Sequence, residues 1–141
     1  MLSATPADVL ARRRQLTLDG DADGLADLFA PDAVIETPFA GPSGTPARLE
    51  GREAIREYSR QVTALPLRLE NYEVTELYQT QDPEVVIVEV QAKATVTTTG
   101  RSFTATSIQI LRIREGHIAL VRDFANPRVL EEAIGEPRPE S

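Results

Sequence analysis

The chain has 141 residues, of which 15 are Lys or Arg and 22 are Asp or Glu, for a formal net charge of -7. A chain of this length folds as one domain around one core, and its acidic balance argues against nucleic acid, whose phosphates need a concentrated basic patch. It contains no cysteine and a single histidine, which excludes disulfides, thiol catalysis and thiolate metal sites.

The lone His117 falls in a turn, without the partners that a metal ion requires. Nowhere do about 18 apolar residues run together, and the opening MLSATPADVLARRR has no signal-peptide core. A cytoplasmic protein with no membrane partner is expected, organised as one domain over residues 1–135 with a polar tail at 136–141.

Thr5, Pro6 and Asp8 supply a cap, a proline at the first helical position and an acid in the first turn, which predicts a helix to about Leu18, stopped by Gly20. At about 100° per residue, Val9, Leu10, Leu16 and Leu18 share an apolar arc with Arg13 near its middle. Arg13 either offers its guanidinium to a polar spot inside the fold or packs its stem and extends its head to solvent. Asp21 caps a second helix with Leu25, Leu28 and Phe29 on one face, stopped by Pro31. The run Asp32 to Pro38 reads as a short strand with Ala33, Ile35 and Thr37 on one side. From Pro38 to Gly51 the chain is rich in Gly and Pro, which predicts an irregular lid or binding loop. A third helix follows from about Arg52 to Leu65, carrying Ile55, Tyr58, Val62 and Leu65 on one face. Tyr58 reads as core, with a ligand contact as the alternative.

From Leu67 onward the period changes to two. Strands are predicted over Leu67 to Tyr78, Val85 to Thr98, Phe103 to Ile113 and His117 to Ala125. In the second of these, Val86, Val88, Val90, Ala92, Ala94 and Val96 alternate with polar residues, so one face is apolar and the other wet. The last two strands are apolar on both faces. If Arg114-Glu115-Gly116 forms a three-residue loop, Gln109 stands opposite Val121 and Ser107 opposite Asp123. Phe103, Ala105 and Ala125 then share that face; a two-residue loop exchanges the faces. The opposite face, with Ile108, Ile110, Leu120, Arg122 and Phe124, needs a cover of its own. A second copy packed sheet to sheet supplies it, so a homodimer is expected. Asn126 and Pro127 open a last short helix holding Val129, Leu130, Ala133 and Ile134, ended by Gly135 and Pro137.

Asp123 is the only acid between Glu115 and Glu131, set among Ile118, Leu120, Val121, Phe124 and Ala125. A carboxylate there points to water, is paired, or does chemistry.

Three helices and then a curved antiparallel sheet, with a short first strand between helices two and three, make an α+β order. With DGDADGLADLFAPDAVIETP (Asp19 to Pro38), GREAIREY (Gly51 to Tyr58) and REGHIALVRDFANPRVLEEAIG (Arg114 to Gly135), the chain resembles the SnoaL-like and nuclear transport factor 2-like proteins. These include ketosteroid isomerases, limonene epoxide hydrolases and polyketide cyclases, and the likeness covers nearly the whole chain. It implies a cone-shaped curved antiparallel sheet of the cystatin-like α+β barrel kind, with three N-terminal helices enclosing a pocket and a short C-terminal helix.

The resemblance also implies roles. The general base of the ketosteroid isomerases falls on Thr37, which cannot shuttle a proton as a carboxylate does, and their two oxyanion donors fall on Arg13 and Gln109. The middle-strand Arg and Asp of the epoxide hydrolases fall on Val90 and Ala92, while their last-strand acid falls on Asp123. The acid or base of the SnoaL-type cyclases falls on Asp123 as well. The Arg-Asp-Phe-Ala-Asn-Pro run is similar to small proteins of this fold from phenazine and polyketide pathways.

The expected function is a cofactor-free enzyme in which Asp123 is acid or base on a small hydrophobic, polyketide-like molecule, in cyclisation, isomerisation or hydrolysis. Arg13, Thr37, Tyr58, Val90, Ala92, Phe103, Ser107, Gln109 and Val121 are the expected substrate contacts. The sequence carries no cofactor or metal-ligand motif. A hydrophobic-ligand binder without chemistry and a dimeric assembly domain are the alternatives. Direct contact between Arg13 and Asp123 would instead make a buried ion pair that fixes helix one on the sheet.

Overall fold

In a computed structural model, residues 4–41 and 45–134 are described. Their elements follow as α1 (Pro6–Asp19), α2 (Ala22–Asp27), β1 (Phe29–Thr37), β2 (Ala47–Glu50), α3 (Arg52–Thr63), β3 (Leu67–Gln79), β4 (Val85–Val96), β5 (Ser102–Arg114), β6 (His117–Ala125) and α4 (Pro127–Ile134). The expected helix stop at Gly135 and Pro137 and the tail beyond it lie outside the described residues. The α+β class is as expected. The strands form one curved, open sheet in the order β2-β1-β6-β5-β4-β3.

One pair departs from the antiparallel sheet expected, because β1 runs parallel to β6. No hairpin joins these two strands to impose the opposite direction. The start of β1 also differs from expectation. Pro31 does not stop α2, which ends four residues earlier at Asp27; it sits inside β1 instead. The pairing of β1 with β6 skips between Phe29 and Val34, and an exposed irregularity of that kind tolerates a residue without an N–H. The loop predicted from Pro38 to Gly51 is shorter than expected. Its last four residues before Gly51 form β2, paired antiparallel with β1 from Val34–Glu50 to Thr37–Ala47.

Local chemistry sets the helix ends. Thr5 and Asp8 exchange side-chain bonds with each other's backbone N–H at 3.2 and 3.0 Å, which satisfies two donors that the first turn leaves open. Gly20 closes α1 with φ 68°, a left-handed conformation that only glycine takes without cost. α1 then buries Val9, Leu10, Arg13 and Leu16. The core they meet is built from Phe29, Ala33, Ile55, Val86, Val88, Leu111, Ile113, Ile118 and Val121. α3 is tied to α2 by Arg56, which binds Asp23, Asp27 and Glu53 at 3.1, 2.7 and 3.1 Å. No helix among the described residues is long and apolar enough to cross a membrane.

The hairpin between β5 and β6 corrects the predicted register. Arg114 pairs with His117, so the loop has two residues, Glu115 and Gly116, with φ 51° and 78°. A two-residue loop alone would exchange the faces. The register also shifts between Arg112–Leu120 and Ile113–Ile118, which leaves Ala119 as an extra residue on β6. That bulge turns the strand back, so Asp123 keeps the face shared with Gln109 but stands opposite it, with Leu111 opposite Val121 and Ser107 opposite Ala125. Positive φ at both loop positions favours Asn-Gly over Glu-Gly. Glu115→Asn is therefore expected to stabilise the protein by about 0.5 kcal/mol, part of the cost of a left-handed residue, because asparagine tolerates positive φ better than glutamate; an unchanged urea midpoint would count against this turn.

On the convex side Glu36 ties three strands together, accepting from Arg122 Nε at 3.1 Å and from Arg48 Nη1 at 3.0 Å. Phe124 lies beneath the Arg122 guanidinium and 6.0 Å from the Phe39 ring. Ile108 on the same side is 48% exposed.

Candidate functional site

The inner face of the sheet, together with α1 and α3, encloses a hollow of about 870 Å³, a size suited to a small organic molecule. Its wall is largely apolar, with Leu25, Phe29, Ile35, Leu49, Ile55 and Leu69 prominent. Alternation along β1, β4 and β6 produces this surface, since every second side chain points inward. The polar side chains Arg13, Gln109, Asp123, Tyr58 and Tyr72 also line it.

Arg13 stands on the buried arc of α1 and is only 6% exposed. Its Nη1 donates to Gln109 Oε1 at 2.8 Å, and Gln109 Nε2 donates to Asp123 Oδ2 at 3.3 Å. Arg13 and Asp123 thus meet through an amide. The guanidinium also lies over the Tyr72 ring, 5.6 Å from its centre, a cation–π contact. Three buried atoms in this group find no hydrogen-bond partner among the described residues: Arg13 Nε and Nη2, and Asp123 Oδ1.

Withdrawal from water pushes the Asp123 carboxyl above its ordinary value of 3.8, against the downward pull of Gln109, Arg13 and Ser107. Partial withdrawal of the half-exposed side chain from water, and then the nearby charge of Asp123, raise the Tyr58 phenol, so Tyr58 stays a neutral hydrogen-bond donor at neutral pH. What results is a proton-carrying group with weak anchoring, next to a phenol donor, in an apolar hollow.

Of the expected contacts, Arg13, Thr37, Tyr58, Ala92, Gln109 and Val121 line the hollow together with Asp123. Val90 does not: it is 2% exposed and belongs to the core beneath. Phe103 and Ser107 are not in the wall either. Phe103 pairs with Ala94 near the start of β5, the strand against which α4 packs, and Ser107 reaches the Asp123 carboxyl rather than the hollow. Tyr58, read first as core, is 48% exposed. Beyond Ile55 the inner face of α3 overhangs the hollow instead of packing on the sheet.

Tyr72 escaped the sequence because strict alternation from Leu67 and Leu69 turns it outward. A bulge between Leu69 and Asn71 adds one residue and brings Tyr72 and Val74 inward, opposite Ala92 and Val90. An aromatic residue out of step in a strand was the available signal. Among the described residues no group of three or more His, Asp or Glu side chains could hold a metal ion.

An open, curved sheet with helices over its hollow face and an acid within is the architecture of the nuclear transport factor 2-like superfamily. The chain belongs to the SnoaL-like family, whose model matches residues 13–121. It is 37% identical over 129 residues to an uncharacterised PhzA/B-like protein of Pseudomonas aeruginosa, across 91% of this chain and 89% of the relative. A Bacillus subtilis crystal structure, provisionally called an isomerase, superposes with a TM-score of 0.82 at 30% identity, covering 92% of this chain and 91% of that one. SalBIII, described as an epoxide hydrolase/cyclase-like enzyme of pyran ring formation in salinomycin, superposes with a TM-score of 0.70 at 22% identity over 87% and 92%. At that identity the likeness speaks for the fold alone.

Proposed function

We propose that the chain is a cofactor-independent enzyme in which Asp123 moves a proton on a small, largely apolar carbonyl compound, as in isomerisation or aldol-type ring closure. The observation that carries this reading is the state of the carboxyl. One oxygen of Asp123 is buried without a hydrogen-bond partner among the described residues, the other takes a long bond from Gln109, and burial raises its proton affinity against the opposing pull of Gln109, Arg13 and Ser107. A base or acid works best when its pKa lies close to the working pH.

Asp123 would remove a proton from the carbon beside the carbonyl, and the charge that develops on oxygen would accept a hydrogen bond from Tyr58. The same carboxyl would then return the proton to another carbon; in ring closure the carbanion would instead add to a second carbonyl carbon of the same molecule, breaking its C=O π bond, and the alkoxide formed would take the proton back from Asp123. Hydrolysis of the epoxide type is less well supported, because Val90 and Ala92 stand where its water-activating pair is needed. A binder without chemistry would satisfy its polar groups among themselves, and this hollow leaves three buried polar atoms unpaired among the described residues. The name given to the Bacillus subtilis structure agrees with the proposal. The test is exchange of α-hydrogens for deuterium in a panel of small cyclic ketones and enones, followed by NMR. Equal exchange with and without the Asp123 carboxyl would remove the proposed base.

We also propose that a second copy of the chain covers the convex face around Ile108. Sedimentation is expected to show a dimer that Ile108→Lys disperses; a monomer at all concentrations would end this idea.

A further inference from the structure

Arg13 and Asp123 carry opposite charges, line the same hollow, and each holds buried atoms without a partner. Two such groups gain most by closing on each other. They have not done so, and Gln109 bridges them instead. Its side chain is 6% exposed and makes a bond on each side, accepting from Arg13 Nη1 at 2.8 Å and donating to Asp123 Oδ2 at 3.3 Å. The amide fits only this way round. Reversed, it would set its NH₂ against guanidinium N–H groups and its oxygen against a carboxylate.

We infer that Gln109 is a positioning residue, an amide spacer that keeps the Arg13 guanidinium and the Asp123 carboxyl from collapsing into a direct ion pair. Its importance for turnover rests on Asp123 being the proton carrier, while the spacing itself does not. A carboxylate in direct contact with a guanidinium loses proton affinity, whereas one held off by an amide is governed by its desolvation. The same three side chains thus make either a structural ion pair or a carboxyl free to exchange protons, and the length of residue 109 selects between them. The charged and titratable groups facing Asp123 are Arg13 from α1 and Tyr58 from α3, with the neutral Gln109 and Ser107 beside it on β5. Glu36 and Arg122, on the other face of the sheet, are paired with each other at 3.1 Å.

The test follows the Asp123 carboxyl carbon by NMR across pH in the full chain, in wild type, Gln109→Ala, Arg13→Met and the double variant. Gln109→Ala is expected to lower the Asp123 midpoint by about one to three pH units, as direct contact with a cation does. Arg13→Met is expected to raise it, and with Arg13 gone the further loss of Gln109 should no longer lower it. A residue that merely fills space would not produce that dependence on Arg13. An unchanged or raised midpoint in folded Gln109→Ala, or a drop that persists without Arg13, overturns the inference. Gln109→Ser carries the same expectation, and failure of both short variants to fold would assign Gln109 to packing and overturn it too. No substrate enters this measurement. A protein that turns nothing over would therefore sink the proposed reaction while leaving the spacer intact, and an unmoved midpoint would do the reverse.

Discussion

Asp123→Asn is expected to reduce turnover by about 10²- to 10⁴-fold, the usual contribution of a positioned acid or base, and at the same time to make the protein more stable at neutral pH. The second half follows from the sign of the proton linkage. The folded carboxyl holds its proton above the ordinary value of 3.8. Between that value and the raised one, the native state is protonated where the unfolded chain is not, so stability falls as pH rises through the window. Above the window the full cost of the buried charge is present, and below 3.8 it is absent. The asparagine has the same shape and no charge to bury. Its gain should appear in urea melts at neutral pH and vanish in acid. In the wild type the rate should rise with pH as the carboxyl loses its proton, with a midpoint above the ordinary value of 3.8. A variant that is both inactive and unstable would show only damage, and one that keeps full activity would remove Asp123 from the chemistry.

Leu111→Ala is expected to cost about 2–5 kcal/mol, the range for emptying a closed core site, out of a total stability of about 5–15 kcal/mol for a domain. Leu111 has no exposed surface and stands between Val86 on β4 and Val121 on β6. It also lies two residues along β5 from Gln109, on the same face, so the packing that sets its position supports the amide as well. Ile108→Ala, three residues away on the other face and 48% exposed, should cost well under about 1 kcal/mol in the isolated subunit. Equal losses from the two would mean that the faces of β5 have been assigned the wrong way round.

Periodicity made the helices, the four long strands and the inward face of β6 legible, because each rests on side chains repeating every 3.6 or every two residues. It failed wherever one residue was inserted. The bulge at Ala119 cancelled the effect of a two-residue turn, so the predicted face of Asp123 stands although the loop behind it was misread. The bulge before Asn71 hid Tyr72. β2 was obscured by the Gly and Pro before it, since four residues give too short an alternation to stand out. Arg13 was visible as a charge on an apolar arc. That it meets Asp123 only through Gln109 depends on distances of a few tenths of an ångström, which no pattern of residue types encodes.

The parallel pairing of β1 with β6 has a kinetic side. It fastens Glu36 to Arg122 across 86 positions of chain, and contacts so distant in sequence form late because the intervening loop must be closed first. A nascent or refolding chain can assemble its four consecutive hairpin-linked strands well before β1 finds its place. The binding chamber should therefore be the last part of the molecule to mature, and a ligand would reward only chains that have already finished folding.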